Sequence, residues 1–320
     1  MQPAATRALI GIDIGGTKTL GIARSDTGEV LGKTFEPTRE GVGIASHAVE
    51  MYHSLREQVT RSEVSVSSLG IGIAGLVDVG GRLHRAPNLV DADGLEICQM
   101  VESEIDVPVH VDNDVNCAAL AEIESGAAAG AQNALLVTLG TGIGGSLIVD
   151  GAVHRGAFGM AGEPGHMVVD PNGVLCACGM NGCWEAYASA TGLRNLAIRR
   201  AKDGQLEEIS EAVQGNFEGI TSEDLTRSAN QGDKQSLAVV DEFARWVAVG
   251  LANCAALLDP EMIIVGGGLI GDWHLFGQKI DESFHELLVA SGQRSLIPIK
   301  PAENGEAAGA IGASLLGRTQ

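Results

Sequence analysis

Hydrophobic positions in this chain come in short blocks separated by glycine-rich or polar punctuation. Residues 8–14, ALIGIDI, form an apolar run that closes on an aspartate and an isoleucine, a pattern that predicts a strand. GGTK follows, then a second apolar stretch, a turn at Asp26–Gly28 and another extended segment. The block reads as strand, glycine turn, strand, turn, strand. Residues 44–60 change to helical spacing through Ile44, Ala48, Met51 and Leu55. SSLGIGIAGLVD predicts another strand, and VPVHVDND a short strand leading into a helix over NCAALAEIESGAAAG. Residues 133–151, NALLVTLGTGIGGSLIVDG, repeat the layout of the first hairpin: apolar strand, Gly/Thr turn, apolar strand, turn. The second half is more helical. Residues 185–202 and 234–258 both fit helices, the latter through Leu237, Val240, Ala244, Val247, Leu251 and Cys254, with a stop at Asp259–Pro260. EMIIVGGGLI gives strand and glycine turn once more, and the tail GEAAGAIGASLLG predicts a helix of small residues.

The single long-range repeat suggests two related domains, each presenting a glycine turn between paired strands, and a length of 320 residues fits two domains of ordinary size. No linker composition separates them. Aromatic residues make up only 3% of the chain, so Val, Ile, Leu and Ala must fill the cores. A formal net charge of −20 and the absence of any Lys/Arg-rich run argue against nucleic acid and membrane partners. They do not exclude an anionic substrate, because backbone N–H groups and a metal ion can hold phosphates against an acidic background. There is no apolar stretch long enough for a membrane span, and MQPAATRALIGIDIGG lacks a secretory core, so a cytoplasmic protein with reduced thiols is expected.

The three glycine turns are the first candidate chemistry. Asp13-Ile14-Gly15-Gly16-Thr17-Lys18 can aim several backbone N–H groups at one point, with the Thr17 hydroxyl beside them and Asp13 placed to hold a Mg²⁺-bound water. Gly140, Thr141 and Gly142 head the second turn, and Gly266, Gly267 and Gly268 form the third. Neither the P-loop nor the dinucleotide fingerprint is present at the first turn. Two such turns facing each other would clamp a triphosphate, and the third would let backbone lie flat against a base. Val111-Asp112-Asn113-Asp114 stands at a strand end before a helix. A carboxylate there either caps the helix or takes a proton from a hydroxyl that attacks phosphorus.

Three of the six cysteines lie between positions 176 and 183. His166, Cys176, Cys178 and Cys183 make a three-thiolate, one-imidazole set that matches a closed tetrahedral zinc site. A closed site leaves no position for substrate, so this zinc is expected to be structural. Cys98, Cys117 and Cys254 sit in apolar or helical contexts and read as core residues; His84 and His154 read as surface or loop residues.

DIGGTK, GTGIGG and VGGG resemble, in this order, the phosphate-1, phosphate-2 and adenosine motifs of the actin-like ATPase superfamily. GEPGH together with CACGMNGCWE resembles the signature of the ROK family of bacterial sugar kinases, and the resemblance runs over nearly the whole chain. It implies an α/β, two-domain actin-like ATPase (ribonuclease H-like) fold with a cleft between the domains. Residues 1–113 plus 305–320 would form a small domain with a returning C-terminal helix, and residues 114–304 a large domain with the zinc loop. The resemblance further implies Mg²⁺-ATP held by Asp13, Gly15, Gly16, Thr17, Lys18, Gly140, Thr141, Gly142 and Gly266–Gly268. Asp114 would be the general base, with Asn88, Asn113, Glu163, His166 and Glu185 around the sugar. His166 would then bind zinc through one ring nitrogen and the sugar through the other. Domain closure would keep water from the phosphoryl group. The chain departs from the family pattern at LVDADG, where many members carry a Trp, and at Pro164, where a large apolar residue is common. The implied activity is ATP-dependent phosphorylation of a hexose at its 6-hydroxyl, glucose first, with N-acetylmannosamine or N-acetylglucosamine as the alternative. A sugar-responsive ROK regulator fits less well, because the first phosphate turn begins at residue 13 and leaves no room for a winged helix. A polyphosphate-dependent kinase is disfavoured by the cysteine motif and the lack of a basic track. Homodimers or homotetramers are common in the family.

Overall fold

The structure, a computed structural model, describes residues 7–60 and 64–318. In chain order the elements are β1 (Arg7–Ile14), β2 (Lys18–Ser25), β3 (Val30–Pro37), α1 (Gly43–Thr60), β4 (Ser65–Ile73), β5 (Leu76–Val77), β6 (Leu83–Arg85), α2 (Ile97–Glu102), β7 (Val109–Asn113) and α3 (Asp114–Ser125). There follow β8 (Ala134–Leu139), β9 (Ile143–Val149), β10 (Ala152–His154), α4 (Glu185–Ala188), α5 (Ala190–Lys202), α6 (Glu207–Ala212), α7 (Ser222–Asn230) and α8 (Lys234–Leu258). The chain ends with β11 (Met262–Gly266), α9 (Trp273–Leu287), β12 (Ile299–Pro301) and α10 (Ala308–Leu315).

The two main sheets have orders β3-β2-β1-β4-β7 and β10-β9-β8-β11-β12. Each order reads third, second, first, fourth, fifth in its own half, so the repeat visible around two glycine turns extends to whole sheets. In the first, β1 is antiparallel to β2 and parallel to β4, with Gly11 beside Gly70. In the second, β8 and β12 flank β11 in parallel. Parallel strands of this kind are buried on both faces, which is why ALIGIDI and ALLVTL read as continuous apolar runs.

Contacts divide the chain into two compact units, residues 1–131, 146–161 and 303–320 in one, and 132–145 with 162–302 in the other. The motif-based division began the second domain at residue 114; by contacts α3 groups with the first unit instead. Two packing features explain this. α10 lies so close to α3 that a Cβ on Gly312 would stand 1.6 Å from the Cys117 carbonyl oxygen. The buried Glu122 carboxylate of α3 accepts the Ala127 N–H at 2.7 Å, the Glu303 N–H at 3.1 Å and the Asn304 N–H at 2.9 Å, tying the returning segment to the helix.

One face of the first sheet packs on α1 through Ile44, Ala48, Met51, Tyr52 and Leu55. The other face receives α10, and here the sequence GAIGAS has its physical reason. A Cβ on Gly11 would lie 2.0 Å from the Ala310 carbonyl oxygen, and one on Gly70 would lie 1.8 Å from that of Ala313. Helix backbone rests on strand backbone, and only small residues permit it.

In the second unit α8 runs over the predicted span. Its first turn is capped by the Asp233 side chain on the Ser236 N–H, and it ends at Asp259 in the left-handed region just before Pro260. The helix expected over 185–202 is interrupted. Ser189 is extended, closes α4, and caps α5 through its Oγ on the Gly192 N–H at 3.0 Å. Among the described residues no helix is long and apolar enough to cross a membrane.

Any side chain at Gly70 must push α10 off the sheet. Gly70→Ala should therefore cost about 1–3 kcal/mol or more of stability, as overpacking does. Gly271→Ala, where no atom lies within 4 Å and the backbone is ordinary, should cost far less. Urea unfolding midpoints of the two variants measure the difference.

Candidate active site

In the first unit, β1 delivers Asp13 to the edge of the Gly15–Thr17 turn. The Gly15 N–H donates to the Lys18 carbonyl at 3.0 Å, and Thr38 secures the turn from β3's end: its Oγ1 donates to the Gly15 carbonyl at 2.7 Å and its N–H to the Thr17 carbonyl at 3.1 Å. Gly16 runs tight against Asn88, whose carbonyl oxygen would be 2.9 Å from a Cβ there. Lys18 pairs at the surface with Glu306 at 2.8 Å. The Asp13 carboxyl is pushed up to about 7, first by burial and then by the Asp114 charge, with Lys18 pulling the other way.

β7 and α3 meet at Asp112, Asn113 and Asp114. Read from sequence, the helix cap fell to Asp112 or Asp114; the structure gives it to Asn113. Its Oδ1 accepts the Val115 N–H at 2.8 Å and the Asn116 N–H at 3.1 Å, while its Nδ2 donates to the Gly75 carbonyl at 3.1 Å and to Asp114 Oδ1 at 3.0 Å. Both lone pairs and both protons of the amide are thereby engaged. Asp114 Oδ1 also accepts the Val115 N–H at 3.0 Å, so the bonds that hold this carboxylate fall on one oxygen and leave Oδ2 to face a partner. Burial raises the Asp114 pKa above the usual carboxylate range, and the Val115 N–H and Asn113 amide partly offset it.

Behind Asp114 lies a buried polar network that sequence reasoning missed. Asp112 accepts Arg155 Nε at 2.6 Å, Asn116 Nδ2 at 2.9 Å and the Asn113 N–H at 2.8 Å, and Asn116 Oδ1 accepts Ser146 Oγ at 2.8 Å. A buried Asp beside another Asp needs a cation, and Arg155 supplies it.

In the second unit the Leu139–Gly145 turn, the cysteine loop and the β11 turn come together. Gly267 sits at φ +89°, and a Cβ there would meet the Leu139 carbonyl oxygen at 2.4 Å, so the third glycine turn lies flat against the root of the second. Gly165 is seated on Ile143, its Cβ position 2.4 Å from that carbonyl oxygen. Glu163 opens the short turn of Pro164–His166, its carbonyl accepting the His166 N–H at 3.2 Å. Glu185 accepts the Ile143 N–H on Oε2 at 2.8 Å and lies 3.6 Å from Cys176 Sγ through Oε1. Its carboxylate also explains Gly142, where a Cβ would stand 2.3 Å from Oε2.

His166, Cys176, Cys178 and Cys183 each offer one ligand atom, all within 4.8 Å of one another. Ligands at ~2.0–2.3 Å from a central ion fit this spacing. The loop is shaped by Gly179 at φ +94° and by the Cys176 N–H on the Met180 carbonyl at 2.9 Å. Trp184 anchors it: fully buried, it lies flat on Gly250 of α8 and donates Nε1 to the Trp246 carbonyl at 2.7 Å. Burial pushes the Cys176 thiol up to about 12, whereas the Met180 backbone N–H holds the Cys178 thiol below its ordinary value, so a cation binding here has to displace the Cys176 proton. Cys117 and Cys254 are buried and His84 and His154 exposed, as expected, whereas Cys98 is half-buried at the margin of the core.

The ROK family profile matches residues 9–320. A glucokinase of Streptomyces coelicolor is 35% identical over 312 residues, covering 97% of this chain and 97% of that one. The chain belongs to the ROK family. Among solved structures, a ROK family glucokinase from Streptomyces griseus in complex with glucose and AMPPNP superposes with a TM-score of 0.84 at 35% identity, covering 98% of this chain and all of that one. The actin-like ATPase fold expected from the three glycine motifs is thereby the fold of this chain. The family also contains regulators: a putative xylose repressor of Caldicellulosiruptor is 29% identical over 83% of this chain and 68% of its own length. One departure from the common ROK pattern has a local fit, since Pro164 packs its ring on Gly145, where a Cβ would lie 2.5 Å from it.

The raised pKa of Asp13 has a consequence for stability in the ligand-free ROK protein. Its folded pKa, about 7, exceeds the reference value of 3.8, so the folded state holds the proton longer than the unfolded chain. Stability contributed by this group therefore falls as pH rises from the acid side through 7. Asp13→Asn should be more stable than wild type at pH 8, by at most about 4 kcal/mol, with the gain shrinking toward pH 5. Thermal melts across this range measure it, and a pH-independent gain would assign the effect to packing.

Proposed function

We propose that this chain is an ATP-dependent glucokinase that phosphorylates the 6-hydroxyl of glucose. The observation that carries the reading is Asp114, a half-buried carboxylate of raised pKa held by one oxygen with the other uncommitted, in a chain alike over nearly its full length to a glucokinase. In this reading Asp114 takes the proton of the attacking hydroxyl, and its raised pKa makes it a better base than a surface carboxylate. Asn113 orients it, and Arg155 with Asp112 holds the strand end that carries both.

Gly15, Gly16, Thr17, Lys18, Gly140, Thr141 and Gly142 are the residues that would hold the ATP phosphates, with Gly266–Gly268 for the adenosine. Mg²⁺ would supply charge neutralisation at the phosphates, and Asp13, whose carboxyl is raised by burial and by the Asp114 charge, is fitted to meet it or its bound water. Asn88, Glu163, His166 and Glu185 contact sugar hydroxyls. Zinc on His166, Cys176, Cys178 and Cys183 fits the donor set and clips the loop that carries Glu163, His166 and Glu185. The protein would work in the cytoplasm as a homodimer or homotetramer.

A coupled ADP-release assay over glucose, mannose, N-acetylglucosamine and N-acetylmannosamine should give glucose the highest kcat/KM. A preference for an N-acetylhexosamine would move the assignment to that substrate, and turnover of none would remove the kinase reading. Asp114→Asn should lower kcat by at least about 100-fold, the loss expected of a general base, while glucose binding by calorimetry persists.

Stripping the metal, or Cys178→Ser, should lower Tm and raise the glucose KM together. An unchanged KM in metal-free protein would separate the clip from the sugar pocket.

A further inference from the structure

The Leu139–Gly145 turn has its carbonyl groups occupied one after another. The Gly140 carbonyl accepts the Ala190 N–H at 2.8 Å, the Thr141 carbonyl accepts Thr191 Oγ1 at 2.7 Å, and the Gly142 carbonyl accepts the Gly140 N–H at 3.0 Å. A peptide unit is planar and trans, so each N–H points opposite to the C=O of the residue before it. Drawing the Gly140 and Thr141 carbonyls toward the start of α5 therefore turns the N–H groups of Thr141 and Gly142 the other way. Neither N–H has an acceptor among the described residues, whereas the next one, on Ile143, is taken by Glu185. Two adjacent unpaired donors aimed to one side form an anion cradle.

The first turn is built by the same device. Thr38 occupies the Gly15 and Thr17 carbonyls with its own Oγ1 and N–H, in a different unit and from an unrelated stretch of sequence. In both turns a threonine from outside the motif supplies the hydroxyl.

We propose that Thr191 is a positioning residue of the kinase: through the Thr141 carbonyl it fixes the peptide planes that present N–H groups to an ATP phosphate. Thr191 is exposed, so its hydroxyl is not needed to satisfy a buried partner of its own. The break at Ser189 gains a purpose, since it brings Ala190 N–H and Thr191 Oγ1 onto consecutive carbonyls. This inference rests on the reading of Gly140–Gly142 as a phosphate-binding turn.

Steady-state kinetics of the full-length enzyme with Mg²⁺-ATP and glucose, together with thermal melts, test it. Thr191→Val keeps the shape and deletes the hydroxyl. It should raise the ATP KM about tenfold, the effect of losing one well-placed hydrogen bond, with the glucose KM and Tm nearly unchanged. Thr191→Ser should restore the ATP KM. Gly140→Ala probes the turn itself, because a Cβ there meets no protein atom within 4 Å and would stand in the open face. If Gly140→Ala raises the ATP KM while Thr191→Val does not, the phosphate turn stands and the role of Thr191 is overturned. If neither moves it, the phosphate reading of this turn falls as well. A Thr191→Val protein that loses Tm and both KM values together would have lost structure in general, which also overturns the proposal.

Discussion

A glycine turn can hold a phosphate only while its peptide planes stay fixed, and glycine itself does nothing to fix them. The residue that lets backbone approach an anion most closely is also the one with the most freedom to rotate away. Both phosphate-type turns of this chain meet that conflict by bonding their carbonyl oxygens to a partner brought in from elsewhere, Thr38 for one and Ala190 with Thr191 for the other. The twofold use of one sheet order matters for the same reason. It places each turn at the end of a central strand, where neighbouring segments can reach its carbonyls.

The second constraint is charge. Asp13, Asp112 and Asp114 belong to one unit of a chain whose formal net charge is −20. Asp112 is matched by Arg155, and with that partner it serves as scaffold. Asp13 and Asp114 have no such match, and their raised pKa values record the strain of holding negative charge out of water. Under the proposed kinase reading, a metal and the substrate hydroxyl would each relieve one of these carboxylates.

Much of this was legible in the sequence. Apolar runs closing on glycine located β1, β8 and β11 with their turns; three-four spacing located α1 and α8; the His and Cys spacing brought four ligand atoms together. What stayed hidden depends on distant partners. Arg155 and Asp112 are 43 positions apart, and Thr191 and Thr141 are 50 apart, with no local pattern to link them. The apolar periodicity of 185–202 continues through Ser189, so the break there could not be read from spacing. The break is a tight local turn: a Cβ on Gly192 would lie 2.6 Å from the Tyr187 backbone, which glycine permits, and the Ser189 hydroxyl caps the new helix. At the start of α3 three consecutive residues, Asp, Asn and Asp, are all good caps, and the structure selects Asn113.

The cysteine loop illustrates how one short segment serves several ends. Trp184 fastens it to α8, and Glu185, the next residue, reaches the Ile143 N–H. At the start of α5, Ala190 and Thr191 reach the Gly140 and Thr141 carbonyls. The His and Cys cluster, the Glu185 bond to Ile143 and the bonds to the Gly140 and Thr141 carbonyls are therefore carried on one stretch from Glu163 to Thr191, all within one unit. A disturbance at the His and Cys cluster has two routes outward, one through Glu185 and one through α4 to Ser189. Because the second route ends on the Gly140 and Thr141 carbonyls, the cysteine loop bears on the peptide planes of the second glycine turn as well as on Glu185.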